Sequence, residues 1–247
     1  FEAVTIRVVT ALEQVDASDW DACANPARAD SKSDIPYNPF ISHAFLLALE
    51  ESGCVSAGHG WLPRHLVAED AGGRVAACMP CYAKGHSQGE YVFDHGWADA
   101  FYRAGGEYYP KLQCSVPFTP ATGPRFLTGD AQNREALTLA LLHGLEQLTG
   151  RLGASSAHIT FMRQAEWHLA REAGLLARTD RQFHWFNRGY ASFDAFLEAL
   201  SSRKRKNIRK ERQTALSVDG IEIEQLSGNA LSEAAWDAFF AFYMDTG

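Results

Sequence analysis

The spacing of apolar residues divides most of the chain into short helices and strands. Residues 4–9 alternate as a strand, and Ser18-Asp19-Trp20 opens a capped helix. A polar stretch over 25–39, with Pro26, Pro36 and Pro39, reads as a loop. Ser42 then caps a helix to Glu51 whose apolar side holds Phe45, Leu46 and Leu49, with Gly53 at its end. Two strands over 64–69 and 75–82 flank the turn Asp70-Ala71-Gly72-Gly73, a hairpin signal. A third strand is expected over 90–94, a short helix over 98–104 and a β-rich run over 111–118. The strongest helical stripe is Leu137, Leu141, Leu145 and Leu148, predicted to start at Asp130 and stop at Gly150. Strand, helix and strand follow over 156–162, 166–173 and 182–188. Two helices over 192–200 and 201–217 lead to a strand over 221–225 and a helix from Ser232.

A meander followed by β–α–β predicts an α/β layer arrangement rather than a doubly wound parallel sheet. A new start after Arg188 divides the chain into 1–187 and 188–247. In the last helix Trp236, Phe239, Phe240 and Tyr243 make an apolar face that needs a partner layer, and the chain opens on Phe1. Both ends therefore read as cut from a longer protein.

Charge changes the picture at one place. The chain carries 23 Lys and Arg against 30 Asp and Glu, net −7, yet seven of the ten residues from Arg203 to Arg212 are basic. No Pro or Gly interrupts 192–219, and Gly220 stands where a helix would stop. Ile208 and Ala215 form a thin apolar stripe with Arg205 and Arg212 beside it. Such a helix attracts phosphate, carboxylate or nucleic acid, or is a solvated basic face with no ligand.

Other chemistry is sparser. No apolar run approaches the length of a membrane span. Five cysteines form no framework and suit a reducing cytoplasm. Cys78 and Cys81 have redox-like spacing, but strand alternation points the two sulfurs to opposite faces, which favours packing. Glu90 and Asp94 would share one face of their strand, among Tyr91, Phe93 and Trp97. A carboxylate there, its pKa raised, could act as general base toward an amine; a paired structural acid is the other reading. His86, His95 and Asp99 lie close by, but strand spacing scatters these groups, and no metal site is expected. The aromatics Phe183, Trp185 and Phe186 beside the basic helix admit RNA stacking or a plain strand.

Three blocks resemble the Fem family of aminoacyltransferases, which build peptidoglycan cross-bridges and consist of two GNAT-like units. They are Asn38-Pro39-Phe40-Ile41-Ser42-His43, Gly123-Pro124-Arg125, and Arg203-Lys204-Arg205-Lys206-Asn207-Ile208-Arg209-Lys210 running to Gly220-Ile221-Glu222-Ile223. Gly89-Glu90-Tyr91-Val92-Phe93-Asp94, with Tyr109-Pro110-Lys111 and Val116-Pro117-Phe118-Thr119-Pro120, is similar to a bacterial branch labelled peptidoglycan biosynthesis proteins. The resemblance implies a mixed, mainly antiparallel GNAT-like sheet flanked by helices, with a second unit begun after 188. It implies a cytoplasmic acyl- or aminoacyl-transferase acting on an amine, with acyl-CoA or aminoacyl-tRNA as donor rather than a tightly bound cofactor. Glu90 and Asp94 would be catalytic. Arg125, Arg205, Asn207 and Arg209 would bind an anionic or nucleotide-sugar substrate or tRNA, with Arg205 turned into the groove between the units. A non-catalytic module binding a phosphorylated precursor or RNA through 203–212 is the alternative. GNAT enzymes also cradle the donor pyrophosphate on a glycine-rich loop before a helix. The nearest match, Arg125-Phe126-Leu127-Thr128-Gly129-Asp130-Ala131, is one residue too long and carries a repelling carboxylate, so CoA is not expected there in the usual way.

Overall fold

The computed structural model describes residues 4–26, 36–220 and 222–246. The chain divides into two compact units, Phe1–Thr179 and Asp180–Gly247.

The first unit is mixed α/β. Strand β1 (Thr5–Val9) pairs antiparallel with β3 (His65–Glu69), which pairs antiparallel with β4 (Val75–Met79) across the expected hairpin. A second sheet has the order β2 (Trp61–Pro63), β5 (Tyr82–Lys84), β6 (Lys111–Cys114) and β7 (Ala157–Ile159), antiparallel except for the parallel pair β6–β7. The strand expected over 75–82 is therefore two strands. Pro80 has no N–H to continue the ladder, and the chain crosses from one sheet to the other at Pro80-Cys81. Arg64, whose N–H donates to the Cys81 carbonyl at 2.8 Å, marks the matching crossing between β2 and β3.

Helices α1 (Ala17–Ala24) and α2 (His43–Glu51) cover one face of the three-stranded sheet. There Trp20, Cys23, Ile41 and Leu46 pack with Val9, Val67 and Cys78. The Asp16 carboxylate accepts from the Ser18 N–H, so the first cap is Asp16, while Ser42 caps α2 as expected. Residues 27–35 of the expected loop lie outside the described residues. The long helix α4 (Arg134–Leu152) buries Leu137, Leu141, Leu145 and Leu148 against residues of both sheets. Each leucine contributes on the order of 1.5–3 kcal/mol through the water it escapes. Its ends differ from the expectation. Asn133 precedes the first turn, Asp130 instead pairs with Arg134, and the helix runs through Gly150 to a left-handed Gly153. Helices α3 (His95–Arg103) and α5 (Gln164–Glu172) complete the unit.

The second unit holds α6 (Phe193–Glu198), α7 (Ser202–Leu216), α8 (Glu233–Asp245) and, among its described residues, no strand. The strands expected over 182–188 and 221–225 are not formed in its described part: neither extended run meets a neighbour to share a ladder, and Phe183, Trp185 and Phe186 stand exposed. Ile221 lies outside the described residues. Ser192 and Ser232 cap α6 and α8 through their hydroxyls. Trp236, Phe239, Phe240 and Tyr243 are exposed on α8.

A buried charge cluster on the polar face of the second sheet

Alternation along β5 and β6 gives the four-stranded sheet two unlike faces. Ala83, Leu112, Cys114, Ala157 and Ile159 face the core under α4. The opposite face carries Tyr82 and Lys84 from β5, opposite Gln113 and Lys111 from β6 in the strand register. Trp61 is the β2 neighbour of Lys84, and His158 the β7 neighbour of Gln113. Trp61, Lys84, Lys111 and Gln113 are fully buried.

Glu90 and Asp94 meet on this face, but not as members of a strand. Residues 90–94 form no ladder, because Gly89 (φ 79°) and Tyr91 (φ 54°) turn the backbone through the left-handed region. The alternation that predicted a strand is overridden by burial of two carboxylates on one cation. Lys111 Nζ donates to Glu90 Oε2 at 2.8 Å, to Asp94 Oδ2 at 2.5 Å and to Ser87 Oγ at 2.8 Å. Tyr108 OH donates to Asp94 Oδ2 at 2.8 Å. Asp94 precedes α3 without capping it, its carboxylate being engaged by these donors. Glu90 is 3% exposed and Asp94 1%.

The environments push the groups apart. Burial raises the Glu90 carboxyl above its usual range, and Lys111 only partly offsets this. Burial would raise Asp94 too, but the hydrogen bonds from Lys111, Ser87 and Tyr108 win and hold it at about 2. Lys84, desolvated with its ammonium 3.5 Å over the Trp61 ring, is lowered to about 7. Burial, with Lys111 nearby, lowers His158 to about 4. Sequence reading singled out Glu90 and Asp94 but not Lys84, Lys111, Gln113 and His158, which the fold places beside them. The signal was present in Lys111-Leu112-Gln113-Cys114-Ser115, where polar residues alternate inside a β-rich run.

The remaining expected residues lie elsewhere. Arg125 is buried and spends its guanidinium on main-chain carbonyls: Nε on Thr160, Nη1 on Pro124 and Nη2 on Ala121. The following loop is closed in the same way. Glu166 Oε1 accepts from the N–H groups of Arg125 (2.9 Å) and Phe126 (3.0 Å), and Glu166 Oε2 from that of Arg163. The N–H groups of Leu127 and Gly129 donate to the carbonyls of Cys78 and Cys23. The N–H groups of this loop are thus taken by a carboxylate and by carbonyls of the chain itself. A cleft of about 460 Å3 runs beside this loop, lined by Thr128, Arg134, Arg163 and His168 among others.

On α7, Arg205 and Ile208 are half-buried and Arg203, Asn207, Arg209 and Lys210 exposed. Arg209 lies 3.7 Å from Asp194, and the Arg212 guanidinium covers the Phe193 ring. Cys78 and Cys81 pack into separate parts of the core, Cys78 hydrogen-bonded to the Cys23 thiol and Cys114 to that of Cys81. Among the described residues no cluster of three His, Cys, Asp or Glu could hold a metal ion, and no helix is long and apolar enough to cross a membrane.

The profile of a FemAB-like family, described as peptidoglycan biosynthesis/recognition, matches residues 11–247. No curated protein matches the chain. Among solved structures, an aminoglycoside antibiotic 6′-N-acetyltransferase from Acinetobacter baumannii is similar over 76% of this chain and 100% of its own. Its identity is 14% and its TM-score 0.40, an overlap too slight to bear on the argument.

Proposed function

The chain belongs to the FemAB-like family of peptidoglycan biosynthesis and recognition proteins, and from that premise we propose that it transfers an acyl or aminoacyl group to an amine of a cell-wall precursor. The observation that carries the reading is Glu90. Its Oε2 is fixed by Lys111, its Oε1 has no partner, and burial raises its pKa. A carboxylate so placed is suited to receive a proton from an attacking amine. The amine nitrogen bonds to the carbonyl carbon of a thioester or ester, and the C–S or C–O bond breaks. The proton lost from nitrogen passes to Glu90 and from there to the departing sulfur or oxygen, which leaves as a thiol or hydroxyl. Asp94, held ionised, orients Lys111 by accepting from its Nζ.

The donor is acyl-CoA or aminoacyl-tRNA, both cytoplasmic compounds, and the reaction is accordingly assigned to the cytoplasm. Because the N–H groups around 125–129 are engaged by Glu166 and by carbonyls, the donor's phosphates are not assigned to that loop, and Arg125 shapes the loop instead of touching ligand. Arg205, Asn207 and Arg209 on α7 are assigned to the anionic part of the substrate, a nucleotide-linked precursor or tRNA.

One observation favours a second reading, recognition of a phosphorylated precursor or RNA without catalysis: Glu90, Asp94 and Lys111 are all closed off from solvent. Protein purified from its host, incubated with a nucleotide-linked precursor and either acetyl-CoA or aminoacyl-tRNA, separates the two by mass spectrometry of the precursor. Transfer that drops about 10²–10⁴-fold in Glu90→Gln supports the enzyme. Undiminished transfer in that variant removes Glu90 from the mechanism, and binding with no transfer from either donor leaves recognition.

A further inference from the structure

A polar sheet face buried to this degree is costly unless each polar atom has a partner. Among the described residues five buried side-chain atoms have none, and they are Glu90 Oε1, Asp94 Oδ1, Gln113 Oε1, Ser115 Oγ and Trp61 Nε1. All five side chains belong to this face, to its continuation past β6, or to the segment lying on it. Glu90 and Asp94 share Lys111, and Gln113 follows Lys111 on the same side of β6. Four of the five atoms are oxygens able to accept, so what completes the set must be rich in donors.

Charge narrows the class. Glu90 and Asp94 bring two carboxylates against the single ammonium of Lys111, while Lys84 Nζ is turned to the Trp61 ring and the Gln88 carbonyl. An anionic ligand would add to the excess of negative charge, whereas a cation relieves it. We infer that this face is a closed binding site for a primary ammonium group, held by the free oxygens Glu90 Oε1 and Asp94 Oδ1 of the two carboxylates that meet on Lys111. The inference rests on the reading of the protein as acting on an amine and names the place where that amine is bound and gives up its proton.

The cover of the site is the segment 85–94. It joins no ladder, and its ties to the sheet are mainly side chains of the site itself. Lys111 holds Ser87, Glu90 and Asp94, and Lys84 Nζ donates to the Gln88 carbonyl at 3.1 Å. The main-chain tie is Phe118 N–H to the Gly89 carbonyl at 3.1 Å. Gly89 lies so close to the Phe118 ring that a Cβ would stand 2.6 Å from it. The segment can therefore shift without breaking a sheet, its carboxylates keeping Oε2 and Oδ2 on Lys111 while Oε1 and Oδ1 take up an incoming ammonium.

The test is binding of n-butylammonium to the whole protein at constant ionic strength, with no acyl donor present. Tetramethylammonium, a cation without N–H donors, is the control. Saturation-transfer NMR reads binding, and hydrogen exchange by mass spectrometry reads 85–94. Saturable binding of n-butylammonium alone, with changed exchange in 85–94, is expected, and Glu90→Gln should weaken it about tenfold or more. If the two cations behave alike, or butylammonium neither binds nor alters 85–94, the inference fails and the free oxygens serve only the fold. The wild-type comparison decides this even if Glu90→Gln does not fold. Binding without acyl transfer would uphold this site while removing the transferase reading. Transfer to a precursor amine with no ammonium binding here would do the reverse.

Discussion

Lys111 Nζ donates to Glu90 Oε2 at 2.8 Å across 21 residues of chain, with neither side chain open to solvent. Such a pair is weak grounds for stability as it stands, but breaking it strands a charge. Lys111→Met should therefore destabilise the first unit by about 3–5 kcal/mol, read from urea unfolding. Adding Glu90→Gln and Asp94→Asn to that variant should recover part of the loss. A Lys111→Met protein as stable as wild type would mean the cluster is hydrated in solution.

His158 gives a pH signature. Its folded pKa is lowered to about 4 from 6.5, so the unfolded chain takes up a proton first as pH falls. Its contribution is complete above about 6.5 and declines down to about 4, below which it is constant. The stability difference between wild type and His158→Gln should fall over that window and be level below it. A difference that is flat from pH 7 to pH 4 would show an imidazole free to titrate normally.

The Glu166 contacts predict an absence of CoA protection. Amide exchange at Arg125, Phe126, Leu127 and Gly129 should be the same with and without acetyl-CoA, since these N–H groups already donate within the chain. Slowed exchange at Arg125 and Phe126 on adding acetyl-CoA would mean that Glu166 yields its place to a phosphate.

The basic helix is tested by contrast within itself. Arg205 is half-buried and Lys210 exposed. Arg205→Ala should weaken binding of the anionic ligand several-fold or more, since charged hydrogen bonds contribute roughly 1.5–3 kcal/mol. Lys210→Ala should alter mainly the salt dependence. Calorimetric titration with a nucleotide-sugar precursor, CoA and tRNA in turn checks both, and equal effects of the two substitutions on every ligand would reduce α7 to a solvated face.

What the sequence determined by itself is what repeats locally. The leucine stripe of α4, the cap at Ser42, the Asp70–Gly73 hairpin and the basic helix ending before Gly220 could each be read from neighbours a few residues apart. Helical periodicity and turn chemistry act over that range, so the chain states them directly. Cys78 and Cys81 do pack apart, but it is the break between β4 and β5 at Pro80, and not alternation along one strand, that separates them. Tertiary structure decided the rest. Residues 90–94 alternate as a strand would, yet a lysine 21 positions away draws Glu90 to it, and the cost of burying carboxylates unpaired exceeds any preference for extended backbone. Residues 182–188 alternate as well, and without a neighbouring strand they make no sheet. Gln113, whose place depends on the register of β5, β6 and β7, became part of the site only through that register. Pairing between distant segments is set by the packing of the whole unit, which no local window contains.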